Sequence, residues 1–293
     1  TGMLVEEDLV QDGWTELARR VRSRIMGLPP DQMTPEGMMA AFEESDFEKM
    51  EQIRARVDEV VEDPETAQKL KAWYRQLCKR PCFHDEYLPS FNRPTVTLVD
   101  TDGKGVERIT ERGVVVAGVE YEVDCIIYAS GFEVGTDYTS RTGYDMVGRG
   151  GETLSQHWGE GMRTMHGTYL HGFPNAFLVQ PNQGANLISN VPHNFVESGK
   201  TIAMVVAHAL AGGHAEVEVT KEAEDAWMET LLGATPIGVI GSADCTPGYY
   251  NNEGQPNARS REFFLGYPGG AMAYFQYLDR WRSSGAFEGL EFR

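Results

Sequence analysis

The sequence predicts an α/β fold, on three observations. Residues 1–77 read mostly as helix. From residue 95 onward, short β-branched runs follow one another between glycine and charged turns. Past residue 176, one such run leads into a long helix, and two more helical segments follow. Strands that alternate with helices imply a mostly parallel sheet with helices packed on it.

Each element has its own signal. Asp12-Gly13-Trp14-Thr15 is a turn that opens an amphipathic helix, in which Leu17, Val21 and Ile25 recur every fourth residue. Pro29-Pro30 ends it. Thr34-Pro35-Glu36-Gly37 is a helix cap with proline at the first helical position. Residues 46–61 are densely charged around a narrow apolar stripe of Met50, Ile53, Val57 and Val60/Val61. Asp63-Pro64-Glu65-Thr66 opens another helix, expected to run to about Leu77. Residues 95–99, 106–109, 114–116 and 124–129 are expected strands, the middle two forming a small meander. Residues 130–173 are rich in glycine and tyrosine and read as loops with short strands. Residues 176–179 (AFLV) read as a buried strand, followed by a helix over roughly 187–211. Residues 220–232 read as helix, with Trp227 and Leu231 on one face. Residues 233–268 are loop-like, and a last helix covers 269–284. Tyr274, Tyr277, Leu278 and Trp281 on that helix read as packing residues, not as a substrate box.

Composition excludes several function classes. Lys plus Arg is 26 and Asp plus Glu is 44, so the net charge is 26 − 44 = −18. That charge argues against nucleic-acid binding and against docking on an anionic membrane. The most apolar window, residues 201–211, is too short to span a bilayer. The acidic start is no signal peptide, and a cytoplasmic protein is expected. The first residue is not Met, so the chain is expected to begin inside a longer one. Four cysteines, Cys78, Cys82, Cys125 and Cys245, are too few for a disulfide scaffold and are expected to be reduced thiols. The seven histidines include no ligand-spaced pair, so no metal is proposed.

Three segments carry possible chemistry. In the first, Lys79-Arg80 lies ahead of Asn92-Arg93 and an apolar run ending Val99-Asp100. Two adjacent cations in so acidic a chain could bind an anion, or could be a solvated pair on a turn. In the second, Asp124 opens an apolar run that ends Ala129-Ser130-Gly131-Phe132. Small residues there allow close backbone approach to a cofactor, or simply end a strand. In the third, Gln180-Pro181-Asn182-Gln183-Gly184-Ala185-Asn186 leads through Ser189-Asn190-Val191 into the long helix. Free amides at a helix N-terminus suit an electron-rich ligand edge, although a plain cap has the same sequence.

Together with Gly172-Phe173-Pro174-Asn175, these segments resemble the C-terminal half of a Baeyer–Villiger monooxygenase, a class B flavoprotein monooxygenase. The resemblance runs from Asp12-Gly13-Trp14-Thr15 to the last helix, with Ser130 where the family more often has threonine. It implies the C-terminal part of a flavoprotein with two Rossmann-like dinucleotide-binding domains. Residues 1–77 would be a helical insertion in the NADP domain, 78–123 the closing part of that domain, and 124–293 the C-terminal part of the FAD domain. It implies FAD and NADPH as cofactors, and conversion of ketones to esters or lactones with O2 through a C4a-peroxyflavin. A flavin N- or S-oxygenating enzyme is the nearest competing activity. A non-catalytic module of this fold is the alternative of another class.

The resemblance also assigns residues. Arg80 matches the family's catalytic arginine, a permanent cation able to hold negative charge on the reacting oxygens. Lys79 matches the lysine that meets the NADP 2′-phosphate. Val191 falls at a flavin-contacting position. The late loop, Asp244-Cys245-Thr246-Pro247-Gly248-Tyr249-Tyr250-Asn251-Asn252, is expected to line the NADP or substrate site through Cys245 or Thr246. The glycine fingerprints for both cofactors and the family's F-x-G-x-x-x-H-x-x-x-W signature do not occur in these 293 residues. The chain by itself is therefore expected neither to hold FAD tightly nor to turn over, and to need an N-terminal half as its partner.

Overall fold

The computed structural model of the chain describes residues 7, 9–131, 138–180, 182–185, 190–233, 245–255 and 265–293. Those residues fall into two compact units. One lies within 1–42, 77–79 and 133–293, the other within 43–76 and 80–132. These boundaries differ from the three-part sequence division at 77/78 and 123/124.

Local capping chemistry starts the helices where the sequence expects them. Helix α1 (Gly13–Met26) is capped by the Asp12 carboxylate, which accepts the Thr15 amide at 2.7 Å. Its Leu17 packs with Phe42 and Leu77 in the first unit. Helix α2 (Pro35–Val60) is one continuous run of 26 residues. It joins the Thr34 cap, whose hydroxyl accepts the Gly37 amide at 3.2 Å, to the charged segment that follows. No breaker lies between Gly37 and Val61, so the strong helix formers there propagate the helix.

The second unit starts on the C-terminal part of α2. Helix α3 (Pro64–Leu70) begins at its Asp63 cap but stops seven residues before the expected end at Leu77. Tertiary contacts draw the chain back onto α2 instead. Lys71 pairs with Asp58 at 2.8 Å, Arg54 donates to the Ala72 carbonyl at 2.9 Å, and the Gln76 amide donates to Asp46 at 2.8 Å. Val57, Val61 and Ala67 form the core there, with Phe91 and Leu88 of the short α4 (Tyr87–Ser90) against it.

The expected meander is present as β1 (Arg108–Ile109), β2 (Gly113–Val116) and β3 (Val119–Glu122). All pairs are antiparallel, with Arg108 opposite Val115 and Val114 opposite Tyr121. Ala117 and Gly118, with φ of 48° and 76°, make the tight hairpin turn between β2 and β3. A Cβ at Gly113 would lie 1.9 Å from the Tyr121 carbonyl oxygen, so the ladder requires glycine there.

Two strand expectations are corrected. Residues 95–99 and 124–129 join no ladder, and Ile127 and Tyr128 are 87% and 74% exposed. The mostly parallel sheet is likewise absent among the described residues, whose pairings are antiparallel. A β-branched run becomes a strand only when a neighbour accepts its backbone bonds, and no described segment does so here.

The first unit holds the main core. After the short helices α5 (Tyr138–Thr142) and α6 (Leu154–His157), Tyr169 bridges to Met165 and to Phe177, so residues 176–179 pair only locally. Helix α7 (Val191–Gly212), strand β4 (Val217–Val219), helix α8 (Lys221–Leu232), helix α9 (Gly270–Ser284) and strand β5 (Leu290–Phe292) follow. Strand β5 pairs antiparallel with β4, a pairing the sequence reading does not contain. Val205, Trp227, Leu231, Tyr274, Leu278 and Trp281 are buried together, so the late aromatics are core. Among the described residues, no helix is long and apolar enough to cross a membrane.

Helix α7 packs a face that is polar in its first half and turns apolar at Val205 and Ala209. Its packed face buries Asn194, Glu197, Ser198 and Thr201, with Glu197 paired to Arg282 at 2.7 Å. On its outer face Val196, Met204, Val206 and Leu210 are exposed. The cysteine expectation is also corrected, because Cys78 forms a disulfide with Cys245, 167 residues away. Cys82 and Cys125 are the free, exposed thiols.

Candidate functional site

Lys79 and the late loop meet in the first unit. The 3-10 turn Gln76–Cys78 ends immediately before Lys79, and buried Leu77 and Cys78 anchor that approach. The Lys79 ammonium donates to the Thr246 carbonyl at 3.5 Å and to the Pro247 carbonyl. A Cβ on Gly248 would sit 2.7 Å from Lys79 Nζ, so the absence of a side chain permits this approach.

Asn251 shapes the loop. It is 1% exposed and spends its whole amide on loop backbone. Its Nδ2 donates to the carbonyls of Cys245 at 3.0 Å and Thr246 at 3.3 Å. Its Oδ1 accepts from the amides of Gly248 and Gly254, each at 3.0 Å. Asn252, Glu253 and Gly254 follow with φ of 50°, 55° and 81°, which curls the chain back on itself. No sequence motif assigns Asn251 a role of its own. The Asn-Asn-Glu-Gly run is a turn signal and was the available clue.

Of the residues singled out from sequence, the structure brings Lys79 and Thr246 together. Cys245 is committed to the disulfide and 6% exposed, whereas Thr246 is exposed beside it. Arg80 is exposed and belongs to the other compact unit, where its carbonyl accepts the Cys82 thiol at 3.7 Å. Val191 opens α7, capped by Asn190, whose side chain accepts the His193 amide at 3.0 Å. The Val191 amide has no intrahelical acceptor and stands at the positive end of a 22-residue helix. Phe132, Pro181, residues 186–189 and Asp244 lie outside the described residues.

Other motif residues serve the fold. Asn92 donates to the Val60 carbonyl at 2.7 Å and accepts the Glu62 amide at 3.0 Å, closing the end of α2. Gln183 is fully buried and joins Thr164, the Met162 carbonyl and Trp227. Asn175, at φ 58°, clasps the β4 edge. It donates to the Ala215 carbonyl at 3.1 Å and accepts the Val217 amide at 3.0 Å. Asn175→Ala is expected to cost about 0.5–1.5 kcal/mol by removing these bonds. The readout is a lowered denaturation midpoint, and an unchanged midpoint would contradict it.

His166 is a strongly perturbed group in this unit. Its ring lies 4.7 Å from Trp227, 4.9 Å from Trp281 and 5.2 Å from Tyr277, centroid to centroid. Burial lowers its pKa to about 3, so it is neutral in the fold. Burial also pushes the Tyr169 and Tyr274 hydroxyls well above the usual tyrosine range.

The donor set fits parts of two nucleotide cofactors. A helix-end amide suits the electron-rich edge of a ring, and adjacent cations suit a phosphate. No glycine-rich loop for a pyrophosphate occurs in the sequence.

No family model matches the chain. It is 45% identical over 287 residues to a Baeyer–Villiger monooxygenase of Streptomyces coelicolor, covering 96% of this chain and 46% of that one. It is 42% identical over 293 residues to an FAD-binding monooxygenase of Hypomyces subiculosus, covering 99% of this chain and 48% of that one. Among solved structures, it matches a polycyclic ketone monooxygenase of Thermothelomyces thermophila with a TM-score of 0.83 and 37% identity. That match covers 99% of this chain and 48% of the other. A cyclohexanone monooxygenase of Rhodococcus bound to NADP+ matches with a TM-score of 0.72 and 26% identity, covering 93% of this chain and 51% of that one. The chain spans about half the length of the curated relatives it matches.

Proposed function

The chain belongs to the Baeyer–Villiger monooxygenase family, and we propose that it is the C-terminal half of an FAD- and NADPH-dependent enzyme converting ketones to esters or lactones with O2. The observation that carries this reading is likeness over nearly the whole chain to about half of such enzymes. Two surface features support a missing partner half. The outer face of α7 is apolar, and the run 125–128 is exposed and unpaired. Both are surfaces that water disfavours and a second half of the protein could cover. In this reading residues 1–77 are the helical insertion, 78–123 close the NADP domain and 124–293 complete the FAD domain. We place the enzyme in the cytoplasm.

FAD reduced by NADPH would supply the chemistry that activates O2 for insertion beside the ketone carbonyl. The residues of this chain have separate tasks. Lys79 gives a point charge for the 2′-phosphate of the nucleotide. Thr246, with its carbonyl on Lys79, sits at the rim of that site. The Val191 amide would meet the electron-rich edge of the flavin ring. Arg80 holds the negative charge that develops on the reacting oxygens, in all protonation conditions of the reaction. The pyrophosphates would be held by the other half.

The test compares the 293-residue chain with a protein that also carries an N-terminal half. The longer protein should purify yellow and consume NADPH when a ketone is added, releasing ester. The chain alone should purify colourless and do neither. A colourless, inactive longer protein would refute the assignment. Oxygenation of amines or sulfides with no ester from any ketone would move it to the competing activity.

A further inference from the structure

We propose that the Cys78–Cys245 disulfide is a redox clamp on Lys79, weakening nucleotide binding when closed and strengthening it when reduced. This rests on the nucleotide role given to Lys79 above. The geometry is a short ladder between two chain segments. Cys78 bonds to Cys245 with their Cα atoms 5.1 Å apart. One residue on, Lys79 reaches the carbonyls of Thr246 and Pro247. The covalent rung therefore lies directly beside the hydrogen-bonded one.

The clamp acts through the ammonium's donors. Lysine has three N–H donors, and two of them point at loop carbonyls. A phosphate must compete with those carbonyls for the same group. Asn251 keeps both ends of the loop folded, through its bonds to Cys245, Thr246, Gly248 and Gly254. With the disulfide closed, the carbonyls cannot move away from Lys79. With it open, the 245–247 segment is held by hydrogen bonds alone and can yield to an anion.

The redox step balances with a small-molecule disulfide as oxidant. The thiols of Cys78 and Cys245 give two electrons and two protons to RSSR, which leaves as two RSH while the protein S–S bond forms. Reduction by a small thiol runs the same exchange backwards. Both sulfurs belong to residues less than a tenth exposed, so exchange needs local opening of the loop. In a reducing compartment a disulfide of this kind is more often a sensor than a structural staple.

The experiment uses the full-length protein after incubation with oxidised or reduced glutathione. The thiol state is read by alkylation and peptide mass. Binding of 2′,5′-ADP, which carries the 2′-phosphate without the nicotinamide, is then measured by calorimetry. Reduction should tighten binding roughly tenfold, about the worth of one charge-assisted hydrogen bond. Cys78→Ser should bind as tightly as the reduced protein and ignore glutathione, while Cys82→Ser should still respond. Equal affinity in both states, or tighter binding in the oxidised form, overturns the clamp alone. No binding in either state overturns both the clamp and the nucleotide role of Lys79. Full alkylation of Cys78 and Cys245 in the oxidised sample overturns the clamp at its first step.

Discussion

Arg80→Ala in the full-length protein is expected to lower ester formation from a ketone by about 10²–10³-fold, while hydride transfer from NADPH largely persists. The size is that of removing one preorganised donor from developing oxygen charge. The split follows from the division of labour between neighbouring cations. In the proposed assignment Lys79 would meet the nucleotide, so NADPH binding should survive the substitution. Nothing in residues 81–84 can replace a fixed positive charge, since they read Pro-Cys-Phe-His. Stopped-flow reduction of the flavin, together with product analysis, separates the two steps. Arg80→Lys should recover little, because an ammonium lacks the planar fork of a guanidinium. Ester formation at the native rate in Arg80→Ala would strip the residue of its role, whatever happened to NADPH binding.

The second large effect concerns acid stability. His166 has a pKa of about 3 in the fold against an ordinary 6.5, with burial as the cause. The unfolded chain therefore binds a proton at a pH where the native fold does not. Stability from this group is complete above pH 6.5 and is lost as pH falls from 6.5 toward 3. The slope is about 1.4 kcal/mol per pH unit within that window. Its Nδ1 has no partner among the described residues, so no carboxylate stands ready to accept the new charge. His166→Asn keeps a residue tolerant of the left-handed φ of 58° and removes the titration. Urea midpoints for both proteins between pH 7.5 and 4.5 are the measurement. The variant should be less stable at neutral pH and lose less on acidification. Parallel curves would show that other groups govern the acid limb.

The helices were legible because their signals are local. Asp12, Asp63 and Thr220 each accept an amide three residues on, and each begins a helix where the sequence places one. Trp227 with Leu231, and Tyr274 with Leu278 and Trp281, were legible as buried faces for the same reason. The hairpin between β2 and β3 was legible in outline, since a glycine turn sits between two β-branched runs.

The misses share a cause. Whether 95–99 and 124–129 are strands depends on a neighbouring ladder, which no run of five residues encodes. Helix α3 ends early because Asp58, Arg54 and Asp46 capture residues 71–76. Those partners lie between 13 and 30 positions back along the chain. Strand β5 is three residues long and finds β4 across some seventy residues. Four cysteines allow several pairings and also none, so composition favoured free thiols over the one bond that forms.

The sequence alone determined the family, the cations Lys79 and Arg80, the caps and the periodic core faces. Each of those is carried by residue identity at short spacing, where hydrogen bonds and side-chain direction act within a turn or two. Tertiary structure decided what those residues touch. It joined Cys78 to Cys245, gave Lys79 the carbonyls of Thr246 and Pro247, and made Asn251 the centre of a loop. Such contacts are chosen by packing between distant segments, where closure entropy and burial outweigh any local preference.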